Sequence, residues 1–174
     1  MNTVPEQFIV SVRTSEMAEE IERKFLLRDD SWRESAGAPR RLIQGYFETG
    51  PAGCTLRVRD DDGAGRLTIK GRPHGFARSE FEYAIPVEDV KAMLKEFCIP
   101  RVVEKLRYLV DFGGFAWEID EYLGANSGLF TAEIELPSED TEFPHPPWLG
   151  EEISGIARYT NGALSRNPYS RWKN

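Results

Sequence analysis

The sequence predicts a mainly β, α+β protein in which eight antiparallel strands close into a barrel with a charged interior and peripheral helices. Eight segments of the 174-residue chain alternate apolar and polar residues with the period of a strand, and turn residues separate them. On seven of these segments, Glu, Asp, Lys or Arg occupies the polar positions. Because one face of every strand in a closed barrel points inward, we expect the charged residues to line a tunnel and the apolar residues to pack outward under helices.

Charged rows also occur where one face of an antiparallel sheet meets water, which is the ordinary explanation for any single strand. Such faces commonly mix in Ser, Thr, Asn and Gln, whereas these rows are concentrated in full charges of both signs. Packed acids and bases could also neutralise one another as a purely structural network. The residue pattern by itself leaves that second alternative open.

The predicted elements follow in chain order. The strands are expected at residues 20–27, 41–49, 54–60, 66–71, 78–85, 102–112, 116–122 and 129–136. Apolar residues at helical spacing predict a helix over 87–97, and Asp30 is expected to cap a short helix that ends at residue 36. A Pro-rich connection after the last strand precedes a final helix around 159–165.

Composition limits the class of protein. A chain of 174 residues with 40% hydrophobic and 29% charged residues is typical of one folded domain. We expect a single domain over 17–174, preceded by an N-terminal extension, 1–16, to which no function is assigned. The net charge of −7 disfavours nucleic acid as a partner, and the absence of a long apolar run or a signal-like start predicts a cytoplasmic protein without a membrane partner. Two distant cysteines, Cys54 and Cys98, suggest neither a zinc site nor a disulfide framework.

An interior with both signs of charge suits a highly anionic ligand that binds together with a divalent metal. Carboxylates supply the hard oxygen ligands that such metals prefer, while Arg and Lys pair with phosphate oxygens. A triphosphate is therefore the natural candidate ligand.

The segment EIERKFL, from Glu20 to Leu26, carries an ExExK motif. Further motifs follow it in order: QGY at 44–46, LRVR at 56–59, LTIK at 67–70, RSEFE at 78–82, EKLRY at 104–108, WEID at 117–120 and AEIEL at 132–136. The series covers roughly residues 20–164 and resembles the CYTH superfamily, also called triphosphate tunnel metalloenzymes. That superfamily includes class IV adenylate cyclases, thiamine triphosphatases and bacterial tripolyphosphatases. The ending, PWLGEE at 147–152 with Arg158 and Tyr159, resembles the short bacterial inorganic tripolyphosphatases in particular. This sequence departs from them at Ile156 and Ala157, where those sequences often carry an acidic residue and a lysine.

The resemblance implies a tunnel that binds a triphosphate together with Mg²⁺ or Mn²⁺. The acidic positions that match the family's metal site are Glu20, Glu22, Glu82, Asp120, Glu133 and Glu135. The basic positions that match its phosphate ligands are Lys24, Arg57, Arg59, Lys70, Arg78, Lys105, Arg107 and Arg158. Of these basic residues, Arg78 and Lys105 could instead pair with Glu80 or Glu118. The residues expected to act in catalysis are Glu133, Glu135, Lys24 and Arg57.

The function that this resemblance implies is metal-dependent hydrolysis of a triphosphate, with inorganic tripolyphosphate as substrate and orthophosphate as product. Three alternatives remain open: a class IV adenylate cyclase that converts ATP to cyclic AMP and pyrophosphate, a thiamine triphosphatase, and a polyphosphate- or nucleotide-binding module without catalysis. The expected partner is thus a small molecule that contains a triphosphate, such as tripolyphosphate, ATP or thiamine triphosphate. A homodimer is also left open.

Overall fold

The computed structural model describes residues 21–49, 53–71 and 80–172. Nine antiparallel strands form one sheet in the order β5-β4-β3-β2-β6-β7-β8-β1-β9. Their bounds are β1 Ile21–Leu27, β2 Arg40–Tyr46, β3 Thr55–Asp61, β4 Ala64–Lys70, β5 Glu80–Ile85, β6 Val102–Phe112, β7 Phe115–Tyr122, β8 Phe130–Leu136 and β9 Leu149–Glu152. The first eight correspond to the eight predicted strands.

The prediction of a closed, eight-stranded barrel is wrong in strand number and in closure. The ninth strand, β9, pairs with the free side of β1, with Phe25 opposite Glu152 and Leu27 opposite Leu149. Since β9 uses the edge that a closing strand would need, β5 and β9 form the two edges of the sheet, and no ladder joins them within the described residues. The alternation did not reveal β9 because this strand has only four residues, one of them glycine and two of them glutamate.

The sheet is nevertheless curled, so that it has an inner and an outer face. Lys24 on β1 interacts electrostatically with Tyr46 on β2, although three strands lie between them in the sheet order. The curl therefore brings residues of distant strands together on the inner face.

The outer face forms most of the hydrophobic core. Phe25, Trp117 and Ile134 are buried there together with Trp32 and Trp148 from the connecting segments. A second cluster joins Val58 of β3 to Val90 and Cys98, which lie on the helical segment after β5. The prediction that the apolar parity packs outward under a helix is therefore confirmed.

The helices are short and lie outside the strands. Helix α1, Val87–Met93, continues into a π-helical turn, Leu94–Cys98, and helix α2 spans Asn161–Arg166. A 3₁₀ helix, Ser31–Ser35, occurs where a short helix was predicted, but Asp30 provides no side-chain cap. Instead, the Ser31 backbone N–H and hydroxyl both donate to Asp29 Oδ1, at 2.9 and 2.6 Å. Among the described residues, no helix combines the length and apolar character required to cross a membrane.

Candidate active site

The strand register places the charged positions side by side on the inner face. Glu22 and Lys24 of β1 lie opposite Glu135 and Glu133 of β8. The same face continues across the sheet through Glu118 and Asp120 of β7, Arg107 and Lys105 of β6, Arg57 and Arg59 of β3, Lys70 of β4 and Glu82 of β5. Of the predicted site residues, Glu20 and Arg78 lie outside the described residues, and Arg158 lies outside the sheet.

Four carboxylates line one cavity of about 310 Å³ at the end of the inner face where β1 and β7 begin. Its wall is formed by Glu22, Leu109, Ala116, Glu118, Glu133 and Glu135. We call it the acidic cavity. It brings together three of the six predicted metal ligands and adds Glu118, which was predicted only as a partner for Lys105.

Crowding in the acidic cavity changes the proton affinity of Glu22. Partial burial, with repulsion from the neighbouring Glu133 carboxylate, raises the pKa of Glu22 to about 7. Two neighbouring carboxylates repel each other when both are ionised, so a cation between them is favoured. Carboxylate oxygens are also the ligands that hard divalent cations prefer. The donor set of the acidic cavity therefore fits such a cation, although within the described residues no three acidic, histidine or cysteine side chains already stand at distances that would hold one.

Asp120 is engaged elsewhere and does not line the acidic cavity. Its carboxylate receives hydrogen bonds from Arg107 Nε and Nη2, both at 2.7 Å, and a third from Lys105. Burial opposes ionisation of Asp120, but the charges of Lys105 and Arg107 outweigh it and hold the pKa of Asp120 well below its usual range. Lys105 therefore pairs with Asp120 rather than with Glu118, and Glu118 bonds to Arg107.

Glu133 connects the acidic cavity to the basic part of the inner face. One carboxylate oxygen accepts a hydrogen bond from Lys24 Nζ at 2.5 Å, and the other accepts one from Arg107 Nη2 at 2.9 Å. Burial disfavours the charge on Lys24, but Tyr122 and Glu133 more than compensate, so the pKa of Lys24 lies above its usual value. Lys24 therefore carries its proton at neutral pH and acts as a cation.

Three arginines surround the carboxylate of Glu82 on the other side of the inner face. Arg57 and Arg59 each lie 3.8 Å from Glu82 Oε2, and Arg66 lies 3.2 Å from Oε1. The Nε atoms of Arg57 and Arg59 are buried and have no hydrogen-bond partner within the part of the chain that the structure describes. Burial and repulsion from Arg57 lower the pKa of Arg59. We call Arg57, Arg59 and Arg66 the arginine cluster; the fold places Glu82 within it and away from the acidic cavity.

A tyrosine that received no predicted role lies between these two regions. The Tyr46 hydroxyl accepts a hydrogen bond from Gln44 Nε2 at 3.3 Å and lies close to Arg57 and Lys24. Burial raises the pKa of Tyr46, so the phenol remains protonated and can donate a hydrogen bond. The QGY motif contained the signal, but an aromatic residue on a strand more often indicates packing than chemistry.

Helix α2 covers the end of the inner face where β2 and β7 finish. Tyr122, the last residue of β7, donates its hydroxyl to Asn161 Oδ1 at 3.0 Å, and Leu164 is fully buried against Val103, Tyr122 and Leu129. Arg158 lies just before α2 in a 3₁₀ helix, Ala157–Tyr159, where its guanidinium stacks 3.9 Å from the Trp172 ring. The predicted phosphate ligand Arg158 is therefore stacked on an aromatic ring outside the sheet.

Comparison with known proteins agrees with this geometry. The sequence matches the CYTH domain over residues 18–163. It is 44% identical over 158 residues to a protein of Acetivibrio thermocellus named inorganic triphosphatase, covering 90% of this chain and 99% of that one. A Nitrosomonas europaea protein with the same name is 38% identical over 151 residues, covering 84% of this chain and 96% of that one.

Solved structures share the architecture. The crystal structure of the inorganic triphosphatase NE1496 superposes with a TM-score of 0.65 at 36% identity, covering 84% of this chain and 93% of that one. A Bacillus halodurans protein proposed to be an adenylate cyclase superposes with a TM-score of 0.55 at 19% identity, covering 69% and 81% of the two chains. At that identity the second likeness concerns the fold alone.

Proposed function

The chain belongs to the CYTH domain family, and from that premise we propose that it hydrolyses inorganic tripolyphosphate to orthophosphate and pyrophosphate with the help of a divalent metal ion. Both nearly full-length relatives described above are named inorganic triphosphatase. In the reaction, a water oxygen bonds to a terminal phosphorus as the bridging P–O bond breaks. The electron pair of that bond leaves with pyrophosphate, and the proton of the water passes to solvent.

The observation that carries this proposal is the division of one inner face into an acidic cavity and an arginine cluster. Tripolyphosphate is a short chain with several negative charges and no other functional group. A binding site can therefore recognise it only by its charge and its length. Arg57 and Arg59 of the arginine cluster offer fixed cations for phosphate oxygens, and their buried Nε donors have no hydrogen-bond partner among the described residues. The acidic cavity lies beside it and supplies the carboxylates that a metal needs.

We assign the metal site to Glu22, Glu133 and Glu135, with Glu118 nearby and Glu20 as a further candidate from the motif. Mg²⁺ or Mn²⁺ bound there would supply Lewis-acid charge to phosphoryl oxygens and lower the pKa of the attacking water. Glu133 is paired with Lys24 and Arg107 in this structure, and these two cations would be available to phosphate oxygens if Glu133 held the metal. Asp120 keeps Arg107 in place through its two hydrogen bonds.

The remaining inner-face residues bind and orient the substrate. Arg57, Arg59 and Lys70 neutralise phosphate oxygens, and Lys70 is held by Glu80 at 2.6 Å. Lys24 and Tyr46 lie where the arginine cluster meets the acidic cavity, and both carry a proton that can be donated to the charge that develops on the leaving oxygen. Glu82 holds the arginine cluster together, and we assign it this positioning role instead of a place among the metal ligands.

Product analysis tests this proposal and separates it from its alternatives. The purified protein is incubated in turn with tripolyphosphate, ATP and thiamine triphosphate, with Mg²⁺, Mn²⁺ or EDTA, beside a Glu133→Gln variant. The proposal expects orthophosphate to appear fastest from tripolyphosphate, and to be lost with EDTA and in the variant. Cyclic AMP and pyrophosphate from ATP would establish a cyclase instead, preferential turnover of thiamine triphosphate would establish a thiamine triphosphatase, and tight triphosphate binding without turnover would establish a binding module.

A further inference from the structure

Arg66 is the exposed member of the arginine cluster. Its side chain is 42% exposed, whereas those of Arg57 and Arg59 are 15% and 19% exposed. The cluster therefore consists of two partly buried guanidinium groups and a third that is more exposed to solvent. Arg66 belongs neither to the predicted phosphate ligands nor to the residues assigned above to tripolyphosphate.

The cluster also holds more positive charge than its surroundings neutralise. Arg59 and Arg66 lie directly opposite each other across β3 and β4, a placement that is unfavourable for like charges. Among the described residues, three guanidinium groups share the Glu82 carboxylate within 4 Å, and the nearby Asp61 is itself paired with Arg40 at 3.3 Å. An anion longer than a single carboxylate would relieve this repulsion.

The direction of the inner face decides where a longer chain can extend. Helix α2 covers the end where β2 and β7 finish. Arg66 lies near the start of β4, which is at the opposite end because β3 and β4 run antiparallel. A phosphate chain held at Arg57 and Arg59 can therefore extend past Arg66 toward solvent, whereas α2 packs against the opposite end of the inner face.

We propose that Arg66 binds the phosphate group beyond the first three, and so determines whether the site accepts linear inorganic polyphosphates with four or more phosphates. The inference rests on the proposed triphosphatase function and names a substrate class of the same site. With tetrapolyphosphate, water adds to the terminal phosphorus and the bridging P–O bond breaks. The products are orthophosphate and tripolyphosphate, and the proton passes to solvent.

The experiment compares hydrolysis of tripolyphosphate and tetrapolyphosphate by the unmodified protein and by Arg66→Gln and Arg66→Lys. Arg41→Gln is the matched control, because Arg41 lies on the same sheet, is also exposed and forms a similar ion pair with Glu104 at 2.5 Å, but on the outer face. For Arg66→Gln we expect kcat/KM with tetrapolyphosphate to fall about tenfold, because one charge-assisted contact is lost. With tripolyphosphate we expect kcat/KM to stay within about twofold of the unmodified protein. Arg66→Lys should recover part of the loss, since it restores the charge without the bidentate fork.

An equal loss with both substrates, no loss with either, or the same selective loss in Arg41→Gln would overturn the inference. Calorimetric titration with both polyphosphates in the presence of EDTA measures binding without turnover. It therefore tests the inference about Arg66 separately from the proposed function. If the unmodified protein hydrolyses neither substrate, the proposed function fails. The inference then stands if Arg66→Gln weakens binding of tetrapolyphosphate alone, and it falls if the variant changes both affinities alike or neither.

Discussion

Lys105 donates a hydrogen bond to Asp120 in an ion pair whose two side chains are 2% and 0% exposed. The two partners differ in what else they contact. Asp120 also receives two hydrogen bonds from Arg107. The other charges near Lys105 are the cations Arg107 and Lys24 and the carboxylate of Glu133, which is itself bonded to those two cations. The pair is therefore asymmetric, and its members should respond differently to mutation.

Asp120→Asn should destabilise the protein by about 3–5 kcal/mol, because it leaves a buried lysine without its counter-ion. Lys105→Met should cost clearly less, because Asp120 keeps its two bonds to Arg107. Urea unfolding of the two variants, followed by tryptophan fluorescence, measures the difference. An equal loss of unfolding free energy in the two variants would show that the hydrogen bonds from Arg107 do not compensate the charge of Asp120 when Lys105 is removed.

Tyr46→Phe should lower kcat for tripolyphosphate by about 10²-fold, the size of effect seen when one donor to a developing charge is removed. The phenyl ring keeps the packing, so the unfolding free energy should change little. Tyr108→Phe is the matched control, since the Tyr108 hydroxyl bonds to Glu121 Oε2 at 3.1 Å away from the inner face. A normal rate in Tyr46→Phe would remove Tyr46 from the catalytic groups.

Glu22 should make stability depend on pH in protein that is kept free of metal with EDTA. Its pKa is raised from an ordinary 4.5 to about 7 in the folded state. The folded state therefore binds this proton more tightly than the unfolded chain, which favours folding fully below about pH 4.5 and is lost as the pH rises through 7. Relative to Glu22→Gln, the unfolding free energy of the unmodified protein should fall between pH 5 and pH 8. A difference that does not change over this range would contradict the raised pKa.

Gly45→Ala should destabilise the protein by about 1–3 kcal/mol through overpacking. An added Cβ would lie 2.5 Å from Cys98 Cβ and 2.6 Å from Leu94 Cδ2, where β2 packs against the π-helical turn. Gly37→Ala serves as the control, since that glycine has open space around it and is not among the glycines with a positive φ. Thermal unfolding of both variants checks the prediction, and a Tm for Gly45→Ala equal to that of the unmodified protein would refute it.

The charge alternation predicted the two faces correctly because it depends only on the parity of each residue within its own strand. Lys24, Arg57 and Glu133 thus lie on the inner face, and Trp117 lies on the outer face. Parity holds for every residue of a strand, so it needs no knowledge of which strands are neighbours.

Properties that depend on neighbours could not be predicted in the same way. The partner of Lys105 is set by the register between β6 and β7, and Glu82 joins the arginine cluster only because β5 pairs with β4. The closure of the sheet was predicted incorrectly because β9, a four-residue strand, takes the free edge of β1. The alternation of residues within one strand does not indicate which other strand pairs with each of its edges.

The place of β1 between β8 and β9 has a consequence for how the protein is made. Glu22 belongs to the first described strand, while Glu133 and Glu135 belong to the eighth, so the acidic cavity joins residues more than a hundred positions apart. Contacts of such long sequence separation form slowly, because a large loop must close before they can bring any stabilisation. During synthesis on the ribosome, the carboxylates of the acidic cavity therefore cannot meet until β8 has emerged.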